Sequence, residues 1–161
     1  MCTLTTEELK KIAVEAIDRD SRKIIGIANT ILNNPETGFN ERKTALLVQR
    51  IFKSMGIPFR SGIAITGVKG FLEGKAGLGP AIAVIGELDS IVVQDHPYAD
   101  KVTGAAHACG HHCQIASMVG AMVGLSVPKV LNALSGKIIP FAVPAEELIQ
   151  VKQRLKLRSE T

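Results

Sequence analysis

The sequence predicts an α/β fold: a layered domain with N-terminal helices and a mixed, mostly parallel sheet. Two helical repeats of apolar residues occupy the chain before Gly56. After Pro58, short apolar runs separated by glycines are typical of strands. The run Ala81–Ile85 lacks polar alternation, which indicates a strand buried on both faces, as in a helix-covered parallel sheet. Helices alternating with strands favour a layered α/β domain.

The first helix has a clear start and a clear end. Thr5 and Glu8 fit a capping box, in which each side chain satisfies a free backbone N–H. Apolar residues then recur at helical spacing as far as Leu32. Asn34-Pro35 predicts the end, because the residue before a proline avoids the helical conformation.

The second helix is predicted from Glu41 to Met55, with Asn40 as its cap and Gly56 closing it. Later elements follow from apolar patterns. Four strands are predicted at Ile63–Ile65, Val68–Glu73, Ala81–Ile85 and Ile138–Val143. Two further helices are predicted at residues 113–125 and at Glu146–Arg158. Pro140 lacks an N–H donor, which favours an edge or a bulge in the last strand.

Composition narrows the class of protein. A chain of 161 residues, 46% of them hydrophobic, suits one globular unit. Charged residues of both signs are spread along the chain, and the net charge is only +4. One Tyr, five Phe and no Trp offer few aromatic side chains on which bases could stack, which argues against nucleic-acid binding.

Membrane insertion and secretion are not expected either. The longest apolar stretch, Ile115–Val127, is too short to span a bilayer. Charged residues near the start occupy positions where a secretory signal needs an apolar run. We therefore expect a cytoplasmic, reducing environment, in which cysteines beside histidines favour metal binding or chemistry over disulfides.

The segment His107–Cys113 holds three His and two Cys, which are preferred ligands of zinc and its neighbours. Gly110 allows a tight turn, so that Cys109 and His111 can converge. Two alternatives remain open. The segment could be a loop-to-helix junction with partly buried side chains, or a structural zinc site, although Cys109 and Cys113 lack the usual paired spacing.

Acidic residues follow two of the predicted strands. Of Glu146 and Glu147, one could bind a metal while the other takes a proton from water. Alternatively, both simply favour the dipole of a helix start. Asp89 could orient a metal-bound His, or it could be a solvated loop acid. Because ligand sites of α/β sheets lie at strand ends, these residues together predict a hydrolytic metal site.

Four segments resemble the zinc-dependent aminoacylase and carboxypeptidase family of metallopeptidases. The resemblance is strongest to its amidohydrolase branch, with aminobenzoyl-glutamate hydrolase-like and auxin-conjugate hydrolase-like enzymes. It covers almost the whole chain and implies an incomplete phosphorylase/hydrolase-like catalytic domain. The matching segments are Asn34–Phe39, Gly86–Asp89, His107–His111 and Phe141–Glu147.

The resemblance also implies roles for five residues. Cys109, His111 and Glu147 would be metal ligands, Glu146 the general base, and Asp89 the acid that orients a ligand. The family's site holds two divalent metals, here expected to be Zn or Mn. The implied reaction is hydrolysis of an amide bond in N-acyl or aminoacyl amino acids or small dipeptides.

The chain departs from the family pattern in two ways. His112 and Gln114 stand where relatives commonly have Asp and His. Relatives are also more than twice as long, so residues 1–161 are expected to be the N-terminal part of the catalytic domain, without the lid and dimerisation domain or the C-terminal part. We expect weak or no activity. A non-catalytic metal-binding remnant, forming a homodimer or joining a full-length relative through an exposed sheet edge, is the alternative.

Overall fold

The structure is a computed structural model that describes residues 4–148. The helices are α1 (Thr6–Leu32), α2 (Arg42–Ser54), α3 (His111–Leu125) and α4 (Pro128–Ala133). The strands are β1 (Phe59–Ile63), β2 (Gly67–Gly70), β3 (Leu72–Glu73), β4 (Ala81–Glu87), β5 (Ile91–Val92), β6 (Ala105–Ala106) and β7 (Lys137–Val143). The predicted C-terminal helix lies mostly outside the described residues, and its first two residues, Glu146 and Glu147, are in a turn.

The capping box of α1 is confirmed. The Thr5 hydroxyl accepts the Glu8 N–H at 3.3 Å, and Glu8 Oε2 accepts the Thr5 N–H at 2.7 Å. The helix ends at Leu32 with Asn33 as its C-cap, two residues before Pro35. Both ends of α1 therefore follow from local sequence signals.

The start of α2 is stabilised differently from the prediction. Asn40 is not the cap; the helix follows Glu41, whose side chain makes no capping bond. Instead, Glu36 Oε2 accepts the N–H groups of Lys43 at 2.9 Å and Thr44 at 3.0 Å. A carboxylate from the preceding loop thus satisfies donors that a helix start leaves free. The predicted closure at Gly56 is confirmed by its φ of +68°.

The main sheet is mixed, and it confirms the α/β class. Its order is β1-β2-β7-β3, and β4 pairs with β7 on the other side. The expectation of a mostly parallel sheet is not confirmed, because within residues 4–148 only the β4–β7 pairing is parallel. β7 is therefore central, and the proposed edge position of Pro140 is wrong.

Pro140 is accommodated at a change of strand partner. On its antiparallel side, β7 pairs with β3 at residues 137–138 and with β2 at residues 141–142. Pro140 lies between these two ladders, where no antiparallel partner is paired with it. A residue without an N–H donor is tolerated there for that reason.

Two strand predictions are corrected. Of the predicted strand Ile63–Ile65, only Ile63 is in a strand, as the last residue of β1. Ala64 and Ile65 have φ of +46° and +80° and lie in the turn between β1 and β2. β4 is not buried on both faces, because Ala81–Ala83 and Ile85 are exposed and successive residues alternate between the two faces of the strand.

The core lies between the sheet and the helices. It includes fully buried residues of α2, β2 and α3, namely Val48, Phe52, Val68, Met118 and Met122. α3 begins at His111, two residues before the predicted start, and packs against α1. A Cβ at Gly124 would lie 3.1 Å from the Ala13 carbonyl oxygen, so glycine permits this close packing. Among residues 4–148, no helix has the length and apolar character needed to cross a membrane.

Candidate metal centre

The predicted site residues meet at one edge of the sheet. β4 and β7 run parallel with Glu87 opposite Val143, so their carboxyl ends coincide. Asp89 follows β4, and Glu146 and Glu147 follow β7. A Cβ at Gly86 would lie 3.2 Å from the backbone nitrogen of Ile115, so glycine lets the first turns of α3 approach the sheet. His111, the first residue of α3, therefore lies at the same edge.

His111 is the centre of this group, and its two ring nitrogens have different surroundings. The residue is 3% exposed. Nδ1 lies 2.8 Å from the Asp89 carbonyl oxygen, an acceptor, so Nδ1 carries the proton. Nε2 faces three carboxylates: Glu87 Oε2 at 2.8 Å, Glu147 Oε1 at 3.6 Å and Glu146 Oε2 at 3.8 Å.

These side chains fit a divalent cation. Carboxylate oxygens and a ring nitrogen that offers a lone pair are all acceptors, so their close approach needs a proton or a metal ion between them. Donor atoms of Glu87, His111 and Glu146 lie within 4.8 Å of one another. Imidazole nitrogen and carboxylate oxygen are ligands of zinc and of manganese. The donor set therefore suits the metal that the sequence implies. Of the predicted ligands, however, only His111 belongs to this group, which it shares with Glu146, the predicted general base, and with Glu87.

Cys109 lies beside the acidic pair. Its pKa is raised to about 11, first by a hydrogen bond to Glu147, then by burial and by the charges of Glu147, Glu146 and Asp89. The thiol therefore keeps its proton at neutral pH, and a metal would have to displace it to gain this ligand. Cys109 and Cys113 are both exposed and free.

Asp89 holds the turn that carries the acidic pair. It is fully buried, so it is not the solvated loop acid of the alternative interpretation. Its Oδ2 accepts the Glu147 N–H at 2.9 Å, whereas its Oδ1 lies 3.4 Å from His111 Nδ1. Asp89 thus contacts His111 through its backbone carbonyl and fixes Glu147 through its side chain.

Glu41 is a buried carboxylate that the sequence analysis assigned only to a helix start. Oε1 accepts the Ala145 N–H at 2.8 Å, and Oε2 accepts the Thr66 hydroxyl at 2.6 Å. Ala145 has a φ of +56°, which is uncommon for a residue other than glycine. Glu41 therefore stabilises an unusual backbone conformation directly before Glu146. No local pattern signals a bond between residues 104 positions apart.

His107 is buried beside the centre, but it is not among its converging donors. The pKa of His107 is lowered to about 4. Burial is the largest cause, and electrostatic repulsion by His112 and His111 adds to it. Its ring centroid is 5.6 Å from that of His112, and neither of its nitrogens has a hydrogen-bond partner among the described residues. His107 is therefore neutral at pH 7.

The mixed α/β sheet brings imidazole, thiol and carboxylates together at its strand ends, and these are groups that metal-dependent hydrolases use. No family model matches the chain. Over 151 residues it is 31% identical to YhaA of Bacillus subtilis, assigned as an amidohydrolase, covering 89% of this chain and 36% of that protein. It is 32% identical over 127 residues to an IAA-amino acid hydrolase of Arabidopsis thaliana, covering 77% of this chain and 28% of the relative.

Comparison with solved structures also finds a metal-binding enzyme. The crystal structure of Bacillus subtilis YXEP, described as a dinuclear metal-binding peptidase from the M20 family, aligns with a TM-score of 0.68 at 27% identity. The alignment covers 84% of this chain and 38% of that one. Over most of its length the chain is similar to metal-dependent amidohydrolases and peptidases, and it spans about a third of the length of the curated relatives it matches.

Proposed function

We propose that the chain supplies part of the metal centre of an amidohydrolase that cleaves amide bonds in N-acyl or aminoacyl amino acids or small dipeptides. The observation that carries this proposal is the convergence of three carboxylates on Nε2 of the buried His111. The name of the Arabidopsis relative, an IAA-amino acid hydrolase, supports a conjugated amino acid as substrate.

Cys109, His111 and Glu147 would hold the metal, and Glu146 would move the proton. A bound divalent metal, Zn or Mn, would polarise the scissile carbonyl and lower the pKa of the attacking water. The two glutamates differ in their exposure to solvent: the side chain of Glu146 is 50% exposed, and that of Glu147 is 21% exposed. Glu146 can therefore accept a proton from water and pass it to the leaving amine, while Glu147 stays fixed.

Asp89 would position the metal ligands His111 and Glu147. Its buried carboxylate accepts the Glu147 N–H, and its carbonyl accepts the proton on His111 Nδ1. This hydrogen bond leaves Nε2 as the nitrogen that can bind a cation. Groups that orient metal ligands in this way contribute strongly to metal affinity.

We further propose that this chain alone is weakly active or inactive. We also propose that it is located in the cytoplasm and associates with a second copy or with a longer relative. The chain spans about a third of its curated relatives, so an incomplete ligand set and substrate pocket are expected. The same observation favours the second candidate function, a metal-binding chain without turnover.

Metal binding and turnover can be measured separately. The purified chain is titrated with Zn²⁺ or Mn²⁺ by calorimetry, and hydrolysis of N-acetyl amino acids and aminobenzoyl-glutamate is then assayed. We expect metal binding that is lost in His111→Ala and kept in the control His96→Ala, with little turnover. Absence of metal binding would overturn the proposed centre, and robust turnover would overturn the proposed low activity of the chain.

A further inference from the structure

Glu87, the last residue of β4, lies closer to the metal-facing nitrogen of His111 than either member of the acidic pair. Its Oε2 is 2.8 Å from Nε2, against 3.6 Å for Glu147 and 3.8 Å for Glu146. The side chain of Glu87 is 22% exposed. In the function proposed above, Glu87 counts only as one of the three carboxylates that converge on His111 and has no individual role.

Gln114 holds Glu87 in this position from the first turns of α3. The Gln114 amide nitrogen donates to Glu87 Oε2 at 2.9 Å, and its oxygen accepts the Glu87 N–H at 3.3 Å. Gln114 lies three residues after His111, so both side chains project from the same face of the helix. The end of β4 and the start of α3 are thereby joined at two points.

The short contact between Glu87 Oε2 and His111 Nε2 needs a proton or a metal ion between the two atoms. Because Nδ1 donates to the Asp89 carbonyl, a neutral imidazole presents a lone pair at Nε2. A carboxylate oxygen at 2.8 Å would then face another acceptor. A proton on Nε2 removes the conflict, and so does a metal bound to both atoms, since neighbouring ligands of one metal lie about 3 Å apart.

We propose that Glu87 is an additional metal ligand, with Gln114 as the residue that positions it. This inference rests on the proposed metal centre. It adds a hard oxygen donor, which suits Mn²⁺ better than the thiolate of Cys109 does. Loss of Glu87 should therefore weaken Mn²⁺ binding more than Zn²⁺ binding.

The test measures Mn²⁺ and Zn²⁺ affinity of the whole chain by calorimetry and by competition with a coloured chelator. Glu87→Gln keeps the shape and removes the charge, and we expect Mn²⁺ affinity to fall by roughly a hundredfold and Zn²⁺ affinity by roughly tenfold. Gln114→Ala leaves the carboxylate but releases it, and it should cost about tenfold in Mn²⁺ affinity. Glu73→Gln, on β3, is the matched control and should bind as the unaltered chain does.

Three results would overturn the inference, and they differ in what else they affect. If Glu87→Gln binds both metals like the unaltered chain, Glu87 only forms an ion pair with protonated His111, and the proposed function stands. If the unaltered chain binds neither metal, the proposed centre fails as well. If circular dichroism shows that Glu87→Gln does not fold, Gln114→Ala decides, and unchanged Mn²⁺ affinity in that variant contradicts the inference.

Discussion

The thiol of Cys109 differs from that of an ordinary cysteine because it donates a hydrogen bond to the Glu147 carboxylate. The hydrogen bond to Glu147 is the largest cause of its raised pKa, about 11, and the nearby charges add to it. The metal-free thiol should therefore react slowly with alkylating agents near pH 8, although the residue is exposed.

Removing the charge of Glu147 should speed alkylation of Cys109. In a background of Cys2→Ser and Cys113→Ser, we expect Glu147→Gln to raise the rate with iodoacetamide at pH 8 by roughly tenfold, because more thiolate is present. The rate is followed by mass spectrometry in the presence of a chelator. Glu73→Gln serves as the control, and an unchanged rate in Glu147→Gln would contradict the role given to this hydrogen bond.

His107 should make the native state sensitive to mild acid. Its pKa is about 4 in the folded chain, below the ordinary 6.5, because burial disfavours the charged ring. Between these two values the unfolded chain binds a proton that the native chain does not. Stability is therefore complete above pH 6.5 and is lost as the pH falls toward 4.

Replacing His107 by an apolar ring should remove this sensitivity. On lowering the pH from 7 to 5, we expect the unaltered chain to lose about 1–2 kcal/mol more of its unfolding free energy than His107→Phe does. Urea unfolding at the two pH values measures the difference. His96→Gln should behave like the unaltered chain, and an equal pH dependence in His107→Phe would refute the assignment.

The turn between β1 and β2 shows where sequence patterns mislead. Ile63–Ile65 is apolar and contains two β-branched isoleucines, which predicts a strand, yet Ala64 and Ile65 have positive φ. Tight hairpin turns usually place Asn or Gly at such positions. The strand partners that impose this turn lie on both sides of it, and periodicity within the segment carries no information about them.

Glycine at position 65 should stabilise the protein. Ile65→Gly relieves the left-handed strain of a β-branched residue, and we expect the free energy of unfolding to rise by about 1 kcal/mol. Ile82 on β4 is an equally exposed isoleucine, 53% in both cases, in extended backbone. Ile82→Gly should instead lower stability by about 1 kcal/mol. Thermal denaturation of both variants decides, and a loss of stability in Ile65→Gly would contradict the strain.

Helices and much of the candidate site could be predicted because their signals are local. The capping box of α1 lies within four consecutive residues, and Cys109 and His111 stand two apart. Contacts between distant segments could not be predicted. The bond of Gln114 to Glu87 joins residues 27 apart, and the capping of α2 by Glu36 reaches back from Thr44 over 8. Such pairings depend on packing, which spacing within one segment does not encode.

The sheet leaves β4 with one neighbour in the part of the chain described. Ile82 and Ile85 are 53% and 57% exposed, and their side chains point to opposite faces of the strand. An apolar strand edge pairs readily with another. The chain should therefore form dimers through β4 as its concentration rises.

A charge on β4 should prevent this dimerisation. We expect Ile82→Lys and Ile85→Lys each to weaken association by at least about tenfold, about 1.4 kcal/mol, because paired edges would bring two lysines together. Sedimentation velocity over a concentration series measures the dissociation constant of the dimer. Val14→Lys changes an equally exposed residue on α1, 53%, and should have no effect. Unaltered dimerisation in both β4 variants would place the interface elsewhere.

The hydrogen bond between the Ala145 N–H and the Glu41 carboxylate joins the segment after β7 to the start of α2. Until Ala145 is in place, the Glu41 carboxylate lacks one of its two donors, although it is to be fully enclosed. Shortened versions that stop before Ala145 would leave the buried Glu41 carboxylate, at the start of α2, without this donor. The turn that carries Glu146 and Glu147 therefore also satisfies a buried group of the fold. Folding around Glu41 and formation of the candidate metal centre should depend on each other.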